Sequence, residues 1–312
     1  MNDTTLKAIG MVRQGKISLL PISSDSMGVR SFSVFIKTPD TKILIDPGIA
    51  FAPKRYGLPP HPIELKTLNH LAKKIETYGN MADVIIVTHY HRDHFDYGSR
   101  VSPQIYENKI VLLKDPKKNI NPNQKYRRAP AFLRLLEKYS PKQILFADGE
   151  TISIENTEIT FSHPVYHGTD NKLGYVIEVC VKYKDRKVLF SSDIGGGVLE
   201  DQINFILENK PDIVILDGPV TYLRRRKDDT LEVILEKVIE NIALIVNDVK
   251  PRYLIIDHHV LRNKDYKAFF AALSENTKHK HTKIMSLASF LGLEDNPLES
   301  LRDELYKRFL VD

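Results

Sequence analysis

The chain has one cysteine and no tryptophan in 312 residues. A lone thiol, Cys180, cannot close an intramolecular disulfide, so nothing here asks for an oxidising compartment. It lies in the apolar run Gly174–Val181 and is expected as an inert core residue. The chain lacks any run of the ~18 apolar residues that a spanning helix needs, so no membrane partner is expected. Met1-Asn2-Asp3-Thr4-Thr5 shows no basic stretch leading into an apolar one, so no secretory leader is read and a cytoplasmic location is the expectation. Internal repeats, low-complexity tracts and clear linkers are also missing, which leaves residues 1–312 as one expected domain.

What is present is an ordinary apolar content, 42%, and a net charge of +5. The charge favours an anionic partner weakly. Its location says more. Lys114, Lys117, Lys118, Lys125, Arg127 and Arg128 crowd one stretch, and Arg224-Arg225-Arg226-Lys227 form a second cluster. Both could bind phosphates, as in RNA, DNA or a nucleotide, or could be a solvated surface. No interleaving of aromatic and basic residues suggests a single-strand stacking platform.

The sharpest feature is Thr88-His89-Tyr90-His91-Arg92-Asp93-His94. It follows Val84-Ile85-Ile86-Val87, an apolar run that reads as a buried strand. Three of only eleven histidines, with a carboxylate, thus crowd one loop at a strand end. Imidazole and carboxylate are ligands for zinc and related divalent ions. His89 and His91 stand two apart and point the same way along extended backbone. Asp93 and His94 follow in a chain that must turn. One pair can grip one ion while the next pair grips another close by.

The run resembles the His-x-His-x-Asp-His signature of the metallo-β-lactamase superfamily. That resemblance implies four further elements in a fixed order, and each has a counterpart. Lys42-Ile43-Leu44-Ile45-Asp46-Pro47-Gly48 supplies an Asp at a strand end. Locally it reads as an Asx turn; by resemblance Asp46 supports the metal loop and orients a ligand. Phe161 to Gly168 supplies His163 and His167, of which the resemblance selects His167, the one after the Pro, for the first ion. Val188 to Gly197 supplies Asp193, expected to bridge two ions, followed by three glycines that let backbone approach closely. Tyr253 to His259 ends in two histidines. The resemblance favours His258 as ligand and leaves His259 as a supporting, substrate-contacting or proton-donating group. The stretches Ser24–Ser31 and Ala52–Pro62 further resemble an uncharacterised archaeal group of predicted metal-dependent hydrolases.

The fold implied is α/β, a four-layer αβ/βα sandwich of two mixed sheets flanked by helices. Strand signals fit it in two blocks: 32–37, 43–46, 84–88 and 110–113, then 158–161, 175–181, 188–191, 212–216 and 253–257. Helical periodicity is clearest over 64–78, 230–246 and 266–275, with Thr230 a plausible N-cap. The implied centre holds two divalent ions, His89, His91 and His167 on the first, Asp93, His94 and His258 on the second, Asp193 on both. Zinc is favoured by the imidazole-rich set, with manganese and iron compatible. The expected chemistry is hydrolysis by a water shared between the ions. Asp93, Asp46 and His259 are expected in catalysis, and Arg262, Tyr222 and Asp217 as substrate contacts, Asp217 with turn-capping as its local alternative. A phosphodiester is the leading substrate class. A lactone or thioester is the second, and a non-catalytic metal-bound binding scaffold the third. The interval from Asp193 to His258 is too short for the inserted domain of β-CASP nucleases.

Overall fold

The computed structural model describes residues 12–223, 229–277 and 281–309. The basic run Arg224–Lys227 lies outside them. Sixteen strands are described: β1 (Val12–Gln14), β2 (Ile17–Ser24), β3 (Phe32–Lys37), β4 (Lys42–Ile45), β5 (Val84–Val87), β6 (Ile110–Leu113), β7 (Gln143–Phe146), β8 (Thr151–Ile154), β9 (Thr157–Phe161), β10 (Val165–Tyr166), β11 (Tyr175–Val176), β12 (Val179–Tyr183), β13 (Arg186–Phe190), β14 (Ile213–Asp217), β15 (Tyr253–Asp257) and β16 (Lys283–Met285). Two sheets hold seven strands each, in the orders β1-β2-β3-β4-β5-β6-β7 and β16-β15-β14-β13-β12-β9-β8, and β10 pairs with β11 apart.

The two sheets share one plan. In the first, β1 to β4 run antiparallel to their neighbours and β4 to β7 run parallel. In the second, β8, β9, β12 and β13 are antiparallel in turn and β13 to β16 are parallel. Parallel strands buried on both faces read as continuous apolar runs, which is why Val84–Val87 and Ile213–Leu216 show no alternation.

Packing follows the period-two rule. Ile43, Ile45, Val84 and Ile86 face the second sheet and meet Val188, Phe190, Ile213 and Ile215. Leu44, Ile85, Val87 and Val111 face outward against the helices Pro62–Met81 and Ala129–Lys138. On the far side Leu189, Val214, Leu216, Leu254 and Ile256 pack on the helices Glu200–Asn209, Asp229–Leu244 and Tyr266–Asn276. The result is helix, sheet, sheet, helix. Cys180 is buried in the outer core of the second sheet.

Three local expectations change. The single strand over 175–181 divides at Ile177-Glu178, where Ile177 N donates to Thr88 O across the sheets. The helix expected from Thr230 already includes Asp229, so Thr230 lies inside it. Within the basic stretch Lys114 is wholly buried and paired with Asp148 at 2.6 Å, so it offers nothing to an outside phosphate.

Candidate metal centre

Apart from His167, which follows β10 in the antiparallel β10–β11 pair, the expected site residues stand at or past the carboxyl ends of strands that pair in parallel, where ligands gather in open α/β sheets. The backbone there is shaped for it. Asp46, Ser192 and His258 have φ of 50°, 57° and 61°, a region that non-glycine residues rarely adopt and that accumulates at functional sites. Gly48 sits so close to the loop that a Cβ would lie 2.3 Å from Phe95 N and 2.4 Å from His94 N. Only glycine lets the Pro47-Gly48 bend support the histidine loop from below.

The supports are carboxylates. Asp46 accepts from Thr88 N at 2.8 Å and Thr88 Oγ1 at 2.6 Å, and its Oδ2 stands 2.8 Å from His94 Nδ1. Thr88 Oγ1 also meets Ser192 Oγ at 2.6 Å, joining the strand ends of the two sheets. Asp25 Oδ2 lies 2.7 Å from His258 Nδ1, and Asp217 Oδ2 lies 3.0 Å from His259 Nδ1. A carboxylate on one ring nitrogen fixes orientation and raises the basicity of the other. Three histidines therefore each present Nε2 to a common point.

That point is one oxygen. Asp193 Oδ2 lies 3.1 Å from His94 Nε2, 3.1 Å from His167 Nε2, 3.5 Å from His258 Nε2, 3.5 Å from His259 Nε2 and 3.8 Å from His89 Nε2. Ligands at ~2.1 Å from a tetrahedral ion stand roughly 3.4 Å apart, so these are spacings of a coordination shell. His89 Nε2, His94 Nε2 and Asp193 Oδ1 are buried with no hydrogen-bond partner. Buried polar atoms are almost always satisfied, and orphans converging on one point call for a cation. Among the described residues four groups are close enough to share an ion: His89, His91, His167 and Asp193; Asp46, His89 and His94; Asp93, His94 and His258; and Asp193, His258 and His259.

The charge state agrees. Burial and the neighbouring His94 hold His89 well below the usual range, and burial with His167 takes His91 down to about 3. Burial also works against His94 and His258, yet the surrounding carboxylates, Asp193 with Asp46 at His94 and Asp193 with Asp25 at His258, together outweigh it, leaving His94 well above its ordinary value and His258 raised to about 9. Asp193 stays far below the carboxylate range despite burial, because His94, His258 and His259 surround it. Some imidazoles must hold protons to balance the acids, a task a divalent ion performs without them.

Several expectations need correction or refinement. His258 and His259 are not alternatives: both face Asp193, while His258 alone groups with Asp93 and His94. Asp217 is wholly buried and cannot touch a substrate. Its carboxylate accepts from the backbone of Ile194, Gly195 and Gly196 at 2.9–3.1 Å and holds His259 from behind. Two of the three glycines thus wrap this internal carboxyl group. Arg262, expected to meet substrate, is 3% exposed and engages Asp25 through Nε at 2.9 Å and Asp93 Oδ2 through one terminal nitrogen at 3.0 Å. Tyr222 is half-buried beside it, its hydroxyl accepting from Arg262 at 3.5 Å. His163 stands against Gly149, away from the cluster.

Other contributors carry no sequence signal of their own. Asp25 is presented by a short turn, Asp25–Met27, whose Ser26 N donates to the buried Asp257. Its stretch stood out only through resemblance. Gln202 donates to the carbonyls of Tyr166 and Gly168, clamping the backbone on both sides of His167. Gln124 Nε2 lies 3.1 Å from His91 Nε2. A pocket of about 390 Å³ opens beside the loop and is lined by Arg92, Tyr97, Arg127 and Arg128. Arg128 donates to Tyr90 O at 3.1 Å, and Arg92 stacks on Tyr97 at 3.8 Å. Among the described residues no helix is long and apolar enough to cross a membrane.

Comparison with known proteins agrees with this geometry. Residues 27–246 match the profile of the Metallo-beta-lactamase superfamily. A UPF0282 protein of Sulfurisphaera tokodaii is 44% identical, covering 94% of each chain, and one of Metallosphaera sedula is 45% identical, covering 92% of this chain and 91% of that one. Among solved structures, the metallo-beta-lactamase fold protein YhfI from Bacillus subtilis superposes with a TM-score of 0.52 over 86% of this chain and 95% of that one, at 14% identity, which shows the fold alone. The chain belongs to the metallo-β-lactamase superfamily and, within it, to the UPF0282 proteins.

Proposed function

We propose that the chain is a metal-dependent hydrolase of phosphodiesters, acting as one catalytic domain. The observation that carries this reading is the convergence of five imidazole nitrogens on Asp193 Oδ2, with buried ligand atoms left unpaired around it. His89, His91, His167 and Asp193 would hold one ion, and Asp93, His94 and His258, sharing Asp193, a second. Zinc suits this mostly imidazole set. Ions held there supply a water acidic enough to ionise near pH 7 and polarise the oxygens of the scissile group.

The protein's own groups do the rest. Asp46 keeps His94 in orientation, and Asp25 does the same for His258. Arg262, fixed on Asp25, places a permanent positive charge beside Asp93 where negative charge develops on the substrate. The Asp217–His259 pair is the proton-transfer element: burial and the Asp193 carboxylate push Asp217 up to about 8, so it holds a proton that His259 can relay from its Nε2 to the leaving oxygen. Arg92, Arg127 and Arg128 line an open pocket beside the same loop and suit a phosphate flanking the scissile one.

A second reading has its own observation. A pocket of about 550 Å³ lies next to Tyr222, with Tyr56, Leu235, Ile239 and Phe269 among its lining, and would take the apolar body of a lactone or thioester. Turnover of a phosphodiester and of a lactone, each followed against salt, separates the two. The phosphodiester reading expects hydrolysis that chelator removes and zinc restores, with KM rising as salt increases and rising further in Arg127→Ala. Lactone turnover insensitive to salt, with no phosphodiester cleavage, would replace it. Bound metal with no hydrolysis of either would leave a binding scaffold.

A further inference from the structure

The two candidate ion positions differ in their ligand sets, His89, His91 and His167 with Asp193 against His94 and His258 with Asp93, and also in charge. Around His89, His91, His167 and Asp193 the orphaned atoms are ligands alone. At the Asp93, His94 and His258 group a guanidinium is already present. Arg262 donates to Asp93 Oδ2 at 3.0 Å, and the same terminal nitrogen lies 3.1 Å from His258 Nε2 and 3.4 Å from His258 Nδ1. Asp93 Oδ2 is also the oxygen that faces His258 Nε2, at 3.6 Å.

An ion bound to that oxygen at ~2.1 Å can be no farther than about 5 Å from a nitrogen lying 3.0 Å from the same atom. It must share one oxygen with, and sit beside, a group that does not lose its proton. Retreat is blocked. Arg262 is 3% exposed, its Nε is held by Asp25 at 2.9 Å, and a second nitrogen reaches Tyr222. Asp25 is itself tied to His258, so the arginine and the histidine ligand are mounted on one carboxylate. Like charges this close in a buried site repel strongly, because little water screens them. Phe32 stacks on the His258 ring at 5.2 Å and helps hold that geometry.

We infer that Arg262 is a built-in cation that makes the two ion positions unequal: the His89, His91, His167 and Asp193 position binds tightly, and the Asp93, His94 and His258 position binds weakly. Arg262 is thus a positioning and charge-setting residue for the second ion. The inference rests on the metal reading above and adds that occupancy is set by this side chain.

Zinc titration of chelator-stripped protein, against a chromophoric competitor and with ion content counted per folded chain, tests it. Wild type is expected to take one zinc tightly and a second at least about tenfold more weakly, the scale on which neighbouring groups tune metal affinity. Arg262→Gln is expected to bring the second affinity up toward the first, while Arg262→Lys, which keeps the charge, stays unequal. Circular dichroism checks that each variant is folded. The wild-type titration needs no variant and decides by itself if Arg262→Gln does not fold. Two zincs of indistinguishable affinity in wild type, or an unchanged second site in a folded Arg262→Gln, would overturn the inference and leave the metal reading standing. No zinc in any protein would overturn both.

Discussion

The two sheets follow one plan yet equip the site differently. The first sheet places His89, His91, Asp93 and His94 on a single loop after β5, supported by Asp46 and by a glycine that lets backbone touch backbone. The second sheet contributes one or two groups per strand end: Asp193 after β13, Asp217 at the end of β14, His258 and His259 after β15, with His167 from the small β10–β11 hairpin. The first arrangement concentrates ligands by sequence. The second depends on strand register, as in the pairing of Asp217 with Asp257 across β14 and β15. One side can be lost through a single loop distortion. The other can be lost one residue at a time.

The largest expected effect tests the meeting point. Asp193→Ala removes the oxygen faced by five imidazole nitrogens. It should empty the centre of metal and abolish turnover, read by ion content and kcat, while circular dichroism stays native. Metal retained at wild-type content would break the comparison at its centre.

Next comes the loop support. Gly48→Ala should destabilise by about 3 kcal/mol, since its Cβ would strike the His94 and Phe95 backbone and not a side chain that can turn away. Gly168→Ala, beside His167, meets nothing within 4 Å and bears only its φ of 82°, so about 1 kcal/mol is expected. Urea melts of the two variants measure the difference. Equal costs would mean the two sides are held alike.

The carboxylate supports are a finer probe. Asp46→Ala should lower zinc affinity by roughly 10–100-fold, because His94 loses its orienting partner. Asp217→Ala should act mainly on kcat, because it stands behind His259 in the proposed proton-transfer pair. Competition titration and steady-state kinetics on both variants separate affinity from turnover.

The smallest effect lies in the metal-free protein. His91, lowered to about 3, is half-buried and neutral, so the unfolded chain binds more protons and stability falls as pH drops below about 6.5. His258, raised to about 9, works the other way: its contribution is complete below about 6.5 and is lost as pH rises through 9. His91→Ala should flatten the acid side of the melting-temperature profile and His258→Ala the alkaline side. Identical profiles would contradict the division.

The same contrast governs how much was legible in sequence. The β5 loop announces itself because its four candidate ligands, His89, His91, Asp93 and His94, crowd one short stretch. Asp193 and His167 were readable only as polar residues at the ends of apolar runs, in an order the family resemblance supplied. Both layers of sheet were readable where strands are buried on two faces, as at Val84–Val87 and Tyr253–Asp257. Edge strands such as β7 and β8 are half exposed and gave no such run. Asp25, Gln202 and the true role of Asp217 were not readable. Their partners, His258, the backbone around His167 and the glycine turn, lie tens to hundreds of positions away. Nothing local distinguishes a carboxylate that orients a histidine from one that caps a turn.

The most direct test of the central claim is anomalous diffraction at the zinc edge from crystals of zinc-loaded protein. The account predicts a strong peak within ligand distance of His89, His91, His167 and Asp193, and a weaker one beside Asp93, His94 and His258. No peak among these residues, with zinc bound elsewhere on the chain, would contradict it.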